Sequence, residues 1–260
     1  MIRALWTAAT GMGTQQLNLD VIANNIANIN TIGFKKARAE FQDLLYQETK
    51  KAGSETASGS QIPVGVEVGM GAKITATKKM FSQGDFKTTD NAYDLVIEGN
   101  GFFQLDDNGT NVYTRAGSFT TNKDGVLCNP EGLKLAPNIT IPIETVNFQV
   151  LPDGSWQARD KNSAVLGSGR IELARFVNPA GLKSLGRNLY GVTDSSGTAV
   201  TGNPGETGYG TLTQNAVEMS NVNVVDEMVQ MIMGQRAYEI NTKAIQTADQ
   251  ILSLVSNLKR

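Results

Sequence analysis

The 260-residue sequence predicts an α+β protein, in which paired N- and C-terminal helices form an α-helical core domain. A mostly β domain and an extended Gly/Ser-rich arm are inserted between these helices. Three observations predict this fold. Apolar residues recur at steps of three or four at both ends of the chain, and short β-prone runs fill the middle. Between them and the first helix lies a stretch rich in Gly, Ser and Thr.

The first helix is predicted from a series of positions at alternating steps of three and four, in which only Gln16 is not apolar. The series is Ile2, Leu5, Ala9, Met12, Gln16, Leu19, Ala23 and Ile26. Among residues 1–30 only Arg3 and Asp20 are charged, and most other polar residues are Thr, Gln or Asn. Because these side chains can be buried without the desolvation cost of an ion, we expect this helix to be contacted on several sides.

Residues 34–71 are predicted to form the connecting arm. From about Gly53 to Gly71 the sequence is rich in Gly, Ser and Thr, contains Pro63, and has little periodicity. Composition alone favours a flexible, solvated linker here, and an extended, ordered arm is the alternative.

Residues 72–215 are predicted to form the mostly β domain. Its β-prone runs are Ala72–Thr77, Leu95–Ile97, Phe102–Leu105, Val146–Val150 and Ile171–Val177. Dipeptides suited to tight hairpin turns occur at Asn100-Gly101, Asn108-Gly109, Asp124-Gly125 and Asp153-Gly154.

The second helix is predicted to start near Val224 and to carry an apolar stripe on one face. The stripe consists of Met233, Ala237, Ile240, Ala244, Ala248, Ile251, Val255 and Leu258. Asn221 and Asn223 precede the helix and can cap its free amides, while Asp226 and Glu227 suit the positive end of its dipole.

The residue types present argue against most hydrolase mechanisms. Histidine is absent, which removes the usual general base and the commonest metal ligand. The single cysteine, Cys128, is expected to be a buried structural thiol. Asp106-Asp107 with Asp124 or Asp153 would be the candidate carboxylate pair of a glycoside hydrolase, but turn formation explains these residues without catalysis. We expect no catalytic residue, cofactor or metal site.

The charge of the chain is low and balanced, with 23 Lys and Arg against 25 Asp and Glu. Binding of nucleic acid is therefore not expected. The N-terminal apolar stretch is too short for a convincing cleaved signal, and no run of about 18 apolar residues predicts a membrane span. The small basic cluster Lys35-Lys36 with Arg38 is expected to be a solvated face.

Charge depletion in the first helix is typical of surface that becomes buried in an interface. We infer that the chain polymerises through its termini. The alternative is two ordinary helices folded against the β domain.

Several motifs closely resemble those of flagellar rod and hook proteins. The most specific is Ala-Asn-Asn-Ile-Ala-Asn-Ile-Asn-Thr-Ile-Gly-Phe-Lys at residues 23–35, where Gly33 is suited to a left-handed conformation at the helix stop. The resemblance continues through 41–47, 101–103, 113–119, 220–224 and 235–241, and so covers nearly the whole chain.

This resemblance implies a structural subunit of the distal rod, the helical tubular shaft that transmits torque from motor to hook; a proximal rod or hook subunit is the alternative. It implies that residues 1–33 with 216–260 form the inner tube, 34–71 a stiffening arm, and 72–215 an outer layer. Expected partners are copies of the chain, proximal rod proteins, hook protein, the rod cap, and the P- and L-ring proteins. The expected location is the rod crossing the periplasm, reached through the flagellar type III export apparatus without a cleaved signal and without membrane insertion.

The residues expected to form the self-assembly interface combine the two helical stripes with the N-terminal motif. From the N-terminal segment they are Ile2, Leu5, Ala9, Met12, Leu19, Ala23, Asn24, Asn25, Ile26, Asn28, Gly33 and Phe34. From the C-terminal helix they are Ala237, Tyr238, Ile240, Asn241, Ala244, Ala248, Ile251 and Val255.

Overall fold

The computed structural model describes residues 2–53, 63–107 and 109–258, with the side chains of Ile2 and residues 255–258 excepted. It confirms the α+β class: a helix lies at each end of the chain and the middle is mostly β.

The helices are α1 (Ile2–Ala27) and α2 (Val224–Leu258). The first strands are β1 (Ala37–Asp43), β2 (Tyr46–Lys50), β3 (Val66–Gly69), β4 (Ala72–Lys79), β5 (Phe86–Thr88), β6 (Leu95–Glu98), β7 (Phe102–Asp107), β8 (Thr110–Thr114), β9 (Thr120–Thr121) and β10 (Leu127–Cys128). The others are β11 (Lys134–Leu135), β12 (Asn147–Val150), β13 (Ser155–Arg159), β14 (Val165–Arg170), β15 (Leu173–Arg175), β16 (Lys183–Gly186), β17 (Leu189–Gly191), β18 (Val200–Gly202), β19 (Thr211–Gln214) and β20 (Ala216–Glu218).

The chain divides into two compact units. The helical unit consists of the described parts of 1–26, 37–78 and 223–260. The β unit consists of 27–36 and 79–222.

In the β unit, a nine-stranded sheet has the order β16-β17-β8-β7-β11-β10-β9, with β15 pairing β7 and β18. A second sheet has the order β12-β13-β14. Because alternate side chains of a strand point to opposite faces, β7 places Phe103 and Leu105 in one apolar core and Phe102 in another. Cys128 is buried and unpaired, as expected.

The predicted strand runs are confirmed at β4, β6, β7, β12 and β15. Asp153-Gly154 closes the hairpin between β12 and β13, with Gly154 at φ +81°. The hairpin expected at Asn100-Gly101 is wrong, because β6 pairs with β19 while β7 pairs with β8. Long-range pairing of β6 overrides the local turn signal there.

In the helical unit, β1 pairs with β4 and β2 with β3, and together they form a two-stranded ribbon. The Leu44 amide donates to the Gly71 carbonyl at 2.8 Å, where one strand pair continues into the next. A Cβ at Gly71 would collide with the Thr10 hydroxyl, so the ribbon lies against α1. Much of the predicted arm is therefore paired strand. Residues 54–62 lie outside the described residues, and the extended Gly/Ser-rich arm stays a prediction.

Over the described part of the chain, neither helix has a stretch both long and apolar enough to cross a membrane.

Candidate self-assembly surface

The two helices of the helical unit pack side by side and run antiparallel. A Cβ built on Gly234 would lie 3.0 Å from Leu19 Cδ2, and one built on Gly11 would lie 3.0 Å from Asn241 Nδ2. Thr242 Oγ1 donates to Met12 Sδ at 3.4 Å. Glycine within a helix costs roughly 0.5–1 kcal/mol relative to alanine, and here it permits close approach of the neighbouring side chains. Neither glycine was singled out from the sequence, although a glycine inside an apolar helical repeat is a signal for such contacts.

Asn25 connects α1 to the starts of α2 and β1. Its Nδ2 donates to Glu227 Oε2 at 3.1 Å and to the Ala37 carbonyl at 2.9 Å. Its Oδ1 accepts from the Ala37 amide at 2.9 Å. Asn25 is 1% exposed and Glu227 is also buried. The hydrogen bonds of Asn25 therefore lie inside the helical unit.

The predicted start of α2 at Val224 is confirmed, and Asn223 caps it. Asn223 Oδ1 accepts from the Val225 amide at 3.0 Å. Asn221, the other expected cap, instead bonds within the β unit, where its Oδ1 accepts from the Lys36 amide at 2.8 Å. The capping role expected of Asn221 is therefore wrong, because a tertiary contact takes its side chain.

One face of α2 packs inside the unit, and its positions recur every seven residues: Glu227, Gly234, Asn241 and Ala248. Another face exposes an apolar stripe, which consists of Val229, Met233, Ile240, Ala244 and Ile251. Met233 and Ile240 are each 66% exposed. Exposed apolar side chains that share one helix face indicate a site of interaction.

A separate polar stripe of α2 consists of Glu239, Lys243, Gln246 and Gln250, all exposed. Arg236 Nη1 and Glu239 Oε2 form an exposed ion pair at 2.9 Å. This face of α2 is therefore polar from Glu239 onward, whereas nearer the start of the helix Met228 and Ile232 are apolar and exposed on it.

In α1, the buried positions are Ala8, Thr14, Ile22 and Asn25. Ala9, Gln16 and Ala23, which belong to the predicted seam, are exposed. Gly13 and Asp20 are exposed as well. The packed face of α1 thus runs through Ala8 and Ile22, one residue before the alanines expected there. The exposed face consists mainly of small and polar residues, but Trp6 and Leu17 are also exposed on it, at 59% and 40%.

The predicted interface residues fall into four groups. Exposed are Ala9, Ala23, Asn24, Tyr238, Ile240, Ala244 and Ile251; half-buried are Leu5, Met12, Leu19, Ile26, Asn28, Ala237 and Asn241. Buried are Asn25, Gly33, Phe34 and Ala248. The side chains of Ile2 and Val255 lie outside those that are described. Asn28, Gly33 and Phe34 belong to the β unit. The other described residues of the set belong to the helical unit.

The expectation of a solvated basic cluster is wrong at Lys35. Its side chain is 0% exposed, and Nζ lies 2.6 Å from Glu218 Oε1. Burial lowers the pKa of Lys35, while the neighbouring Glu218 carboxylate acts in the opposite direction. The residues around Lys35 give no sign of its ion-pair partner, because Glu218 lies 183 positions later in the chain.

The carboxylates considered for hydrolysis act in turns. Asp106 Oδ1 accepts from the Gly109 amide at 2.7 Å, and Asp153 Oδ1 accepts from the Ser155 amide at 3.0 Å. Hydrogen bonds from Ser155 hold the pKa of Asp153 below its usual value. Within the described residues, no group of three or more His, Cys, Asp or Glu side chains is arranged to hold a metal ion.

Comparison with known families finds three matches along the chain. Residues 5–35 match "Flagella basal body rod protein", residues 96–158 match "Flagellar hook protein FlgE/F/G D1 domain", and residues 213–258 match "Flagellar basal body rod FlgEFG protein C-terminal". The first match contains most of α1 and the last contains all of α2.

Individual relatives extend over the full length. The chain is 47% identical to the flagellar basal-body rod protein FlgG of Borreliella burgdorferi, with 100% of both chains covered. It is 45% identical to that of Caulobacter vibrioides, with 99% of this chain and 100% of the relative covered. The flagellar hook protein FlgE of Borreliella burgdorferi is 33% identical over 74% of this chain and 40% of its own length.

Proposed function

We propose that this chain, which belongs to the FlgG family of flagellar basal-body rod proteins, is a structural subunit of the distal rod and polymerises through its terminal helices. The observation that carries the proposal is the apolar stripe of α2. Within a single chain this stripe faces solvent, although each of its side chains would gain free energy from burial. A second copy of the chain is the occupant that fits it, because the exposed face of α1 offers mostly uncharged side chains, among them the apolar Trp6 and Leu17.

Contact between two different faces of one subunit produces an open helical polymer when the rotation does not close. In the proposed rod, residues 1–33 with 216–260 form the inner tube, 34–71 the connecting arm and 72–215 the outer layer. Close packing over large dry interfaces makes such a polymer stiff, so that it transmits torque from motor to hook. The subunit needs no cofactor and catalyses no reaction.

The predicted interface residues divide between two roles in this proposal. Exposed residues such as Ala9, Ala23, Ile240 and Ile251 contact neighbouring copies. Buried residues such as Asn25 and Ala248 hold the two helices in the arrangement that presents those contacts.

The proposed partners beyond copies of the chain are proximal rod proteins, hook protein, the rod cap, and the P- and L-ring proteins. The subunit reaches the rod through the flagellar type III export apparatus without a cleaved signal. N-terminal sequencing of the mature subunit in basal bodies would contradict this route if it found a trimmed start.

The substitution Ile240→Glu tests the assembly surface. Because Ile240 is exposed in the single chain, the free energy of unfolding of the purified protein should change by no more than about 0.5 kcal/mol. In the polymer the same carboxylate would be buried without a partner, so rods and swimming should be lost. Rods are counted in isolated basal bodies by electron microscopy.

The matched control is Gln246→Glu, which adds the same charge to the polar stripe of the same helix. Cells with this variant should build rods and swim. Normal rods in cells that carry Ile240→Glu would show that the apolar stripe is not an interface.

A hook or proximal rod subunit is the alternative within the same family. Coverage favours the rod, because the rod relatives match over their whole length and the hook relative over 40% of its own. Labelled electron microscopy of basal bodies distinguishes these positions along the axle.

A further inference from the structure

A buried cluster of three charged side chains lies within the β unit. Glu218 accepts from Lys35 Nζ at 2.6 Å through Oε1 and from Arg115 Nε at 3.1 Å through Oε2. Arg115 Nη1 also donates to the carbonyls of Gly99 and Gly101, at 2.9 and 2.7 Å. Lys35 Nζ donates to the Ser82 carbonyl at 2.7 Å. All three side chains are at most 4% exposed.

Further hydrogen bonds extend the cluster along the backbone. The Gly84 amide donates to Glu218 Oε1 at 3.0 Å, and the Gly33 amide donates to the Glu218 carbonyl at 2.7 Å. The Met80 amide donates to the Lys36 carbonyl at 2.9 Å. Asn221 adds a bond from its Nδ2 to the Met80 carbonyl at 2.8 Å. We call this set the junction cluster, and its members are Gly33, Lys35, Lys36, Met80, Ser82, Gly84, Arg115, Glu218 and Asn221.

The position of these residues in the chain is informative. The chain passes between its two units at four points, which follow residues 26, 36, 78 and 222. On the β-unit side of these points lie three chain segments. They are residues 27–36, the residues that follow the crossing at 78, and the residues that precede the crossing at 222. Each of these three segments contributes to the junction cluster. The cluster thus fixes, inside the β unit, every segment through which that unit is covalently joined to the helical unit.

Stability alone is a weak reason for such a cluster. Removing ions from water costs several kcal/mol each, and well-packed apolar side chains of similar volume often stabilise a protein as well or better. The cluster even carries a net positive charge, since two cations share one carboxylate. What it provides is a single arrangement of three segments, because each charge is satisfied only in that arrangement.

We propose that the junction cluster is a mechanical clamp, which holds the segments leading to both terminal helices fixed in the β unit while the rod turns. This role rests on the proposed function, because the load is the torque carried by the rod. Lys35, Arg115 and Glu218 are its positioning residues. They act on the segments that connect the units and not on the surface that contacts neighbouring copies.

Hydrogen exchange of the purified chain tests the clamp without assembly. The amides of Gly33, Lys36, Met80 and Gly84 should exchange as slowly as that of Leu95 in the apolar core, because opening any of them requires the charged cluster to open. If these four amides exchange about 100-fold faster than the amide of Leu95, the proposed clamp is contradicted. Because exchange is measured on the isolated chain, its outcome is independent of the Ile240→Glu test of the proposed function.

A triple variant, Lys35→Met with Arg115→Met and Glu218→Leu, tests the load. Removing all three charges leaves no buried ion unpaired, so the purified variant should still fold. Its melting temperature should fall, because the Gly84 amide and the Ser82 carbonyl lose their side-chain partners. Rods should still form, but cells should lose swimming when the viscosity of the medium is raised. Wild-type swimming at high viscosity by a triple variant that folds would overturn the proposal. If the variant does not fold, the hydrogen-exchange result decides.

The control is Arg170→Gln with Asp153→Asn, which removes an exposed ion pair of the β unit. Exposed pairs contribute little, so this variant should melt and swim like the parent in dilute and viscous media. Equal loss of swimming in both variants would show that the effect is not specific to the cluster.

Discussion

At Gly33 two separate constraints act on one residue. The backbone has φ of +69°, which confirms the left-handed conformation expected from the sequence. Helix α1, however, already ends at Ala27, so Gly33 does not stop it. A Cβ at Gly33 would lie 2.5 Å from the Ala116 amide nitrogen. Close approach to another segment is therefore a second reason for glycine, and no local sequence signal shows it.

Gly33→Ala should lower the free energy of unfolding by about 3 kcal/mol, because backbone strain and a collision with backbone atoms add together. The matched control is Gly132→Ala. Gly132 has φ of +87° and no atom within 4 Å of its Cβ position, so only strain should appear, at about 1 kcal/mol. Chemical denaturation measures both values. Equal losses would show that Ala116 can move away.

Tyr190 carries a buried hydroxyl for which the described residues offer no hydrogen-bond partner. Burial raises the pKa of this phenol above its ordinary value of 10.0. The unfolded chain therefore releases the proton above pH 10 while the folded chain retains it, so the free energy of unfolding falls as the pH rises through that range.

Tyr190→Phe should remove this part of the pH dependence. Near pH 7 it should leave the protein equally stable or up to about 1 kcal/mol more stable, because an unpaired buried hydroxyl is lost. Tyr209→Phe is the comparison, since the Tyr209 hydroxyl donates to the Val200 carbonyl at 3.0 Å and its loss should destabilise. Denaturant titrations at pH 7 and above pH 10 measure both variants. A clear loss of stability in Tyr190→Phe would indicate a hydrogen-bonded hydroxyl.

The helices show which features of an element follow from sequence. The start of α2 was predicted at Val224 because its signals are local: the cap at Asn223, the acidic first turn and the apolar repeat. Which face packs inside the chain was predicted less well. Alanine and glycine fit a packed seam and an exposed surface equally, so periodicity did not distinguish Ala8 from Ala9 or reveal the contact at Gly234.

Strands were predictable where a β-prone run lay between turn residues, as in β6, β7 and β12. Their partners were not, since the partner of β6 is β19, more than a hundred residues later. The same reason explains Lys35, whose burial depends on Glu218 and Arg115. Local composition does not encode such distant contacts.

Asn223→Ala should destabilise α2 by about 1 kcal/mol, because the Val225 amide loses its side-chain acceptor. Asn223→Ser should retain most of the stability, since a hydroxyl can accept the same bond. Helical content followed by circular dichroism during thermal unfolding measures the difference. Identical curves for the two variants would mean that the cap contributes nothing in the folded chain.

At the scale of the whole molecule, charge is a minor contributor to the proposed assembly. The chain has 23 basic and 25 acidic side chains, and the described part of α1 contains only Arg3 and Asp20 as charged residues. An interface of this composition depends on apolar burial, which is not screened by salt.

Isolated rods should therefore stay intact when the salt concentration is raised from about 0.1 M to 1 M, where the screening length falls from about 10 Å to 3 Å. Sedimentation and electron microscopy measure the intact fraction. Dissociation over this range would show that ion pairs between subunits hold the rod together, and would contradict an apolar interface.

The hydrogen bond between Asn25 and Glu227 joins residues 202 positions apart, and this separation determines which of the two helices emerges first. A polypeptide that emerges with its first residue leading presents α1 long before α2 exists to pair with it. Nearly all of the β unit lies between them and is complete first. The pairing of the two helices is therefore the last of these contacts to form, because it waits for the final 35-residue helix.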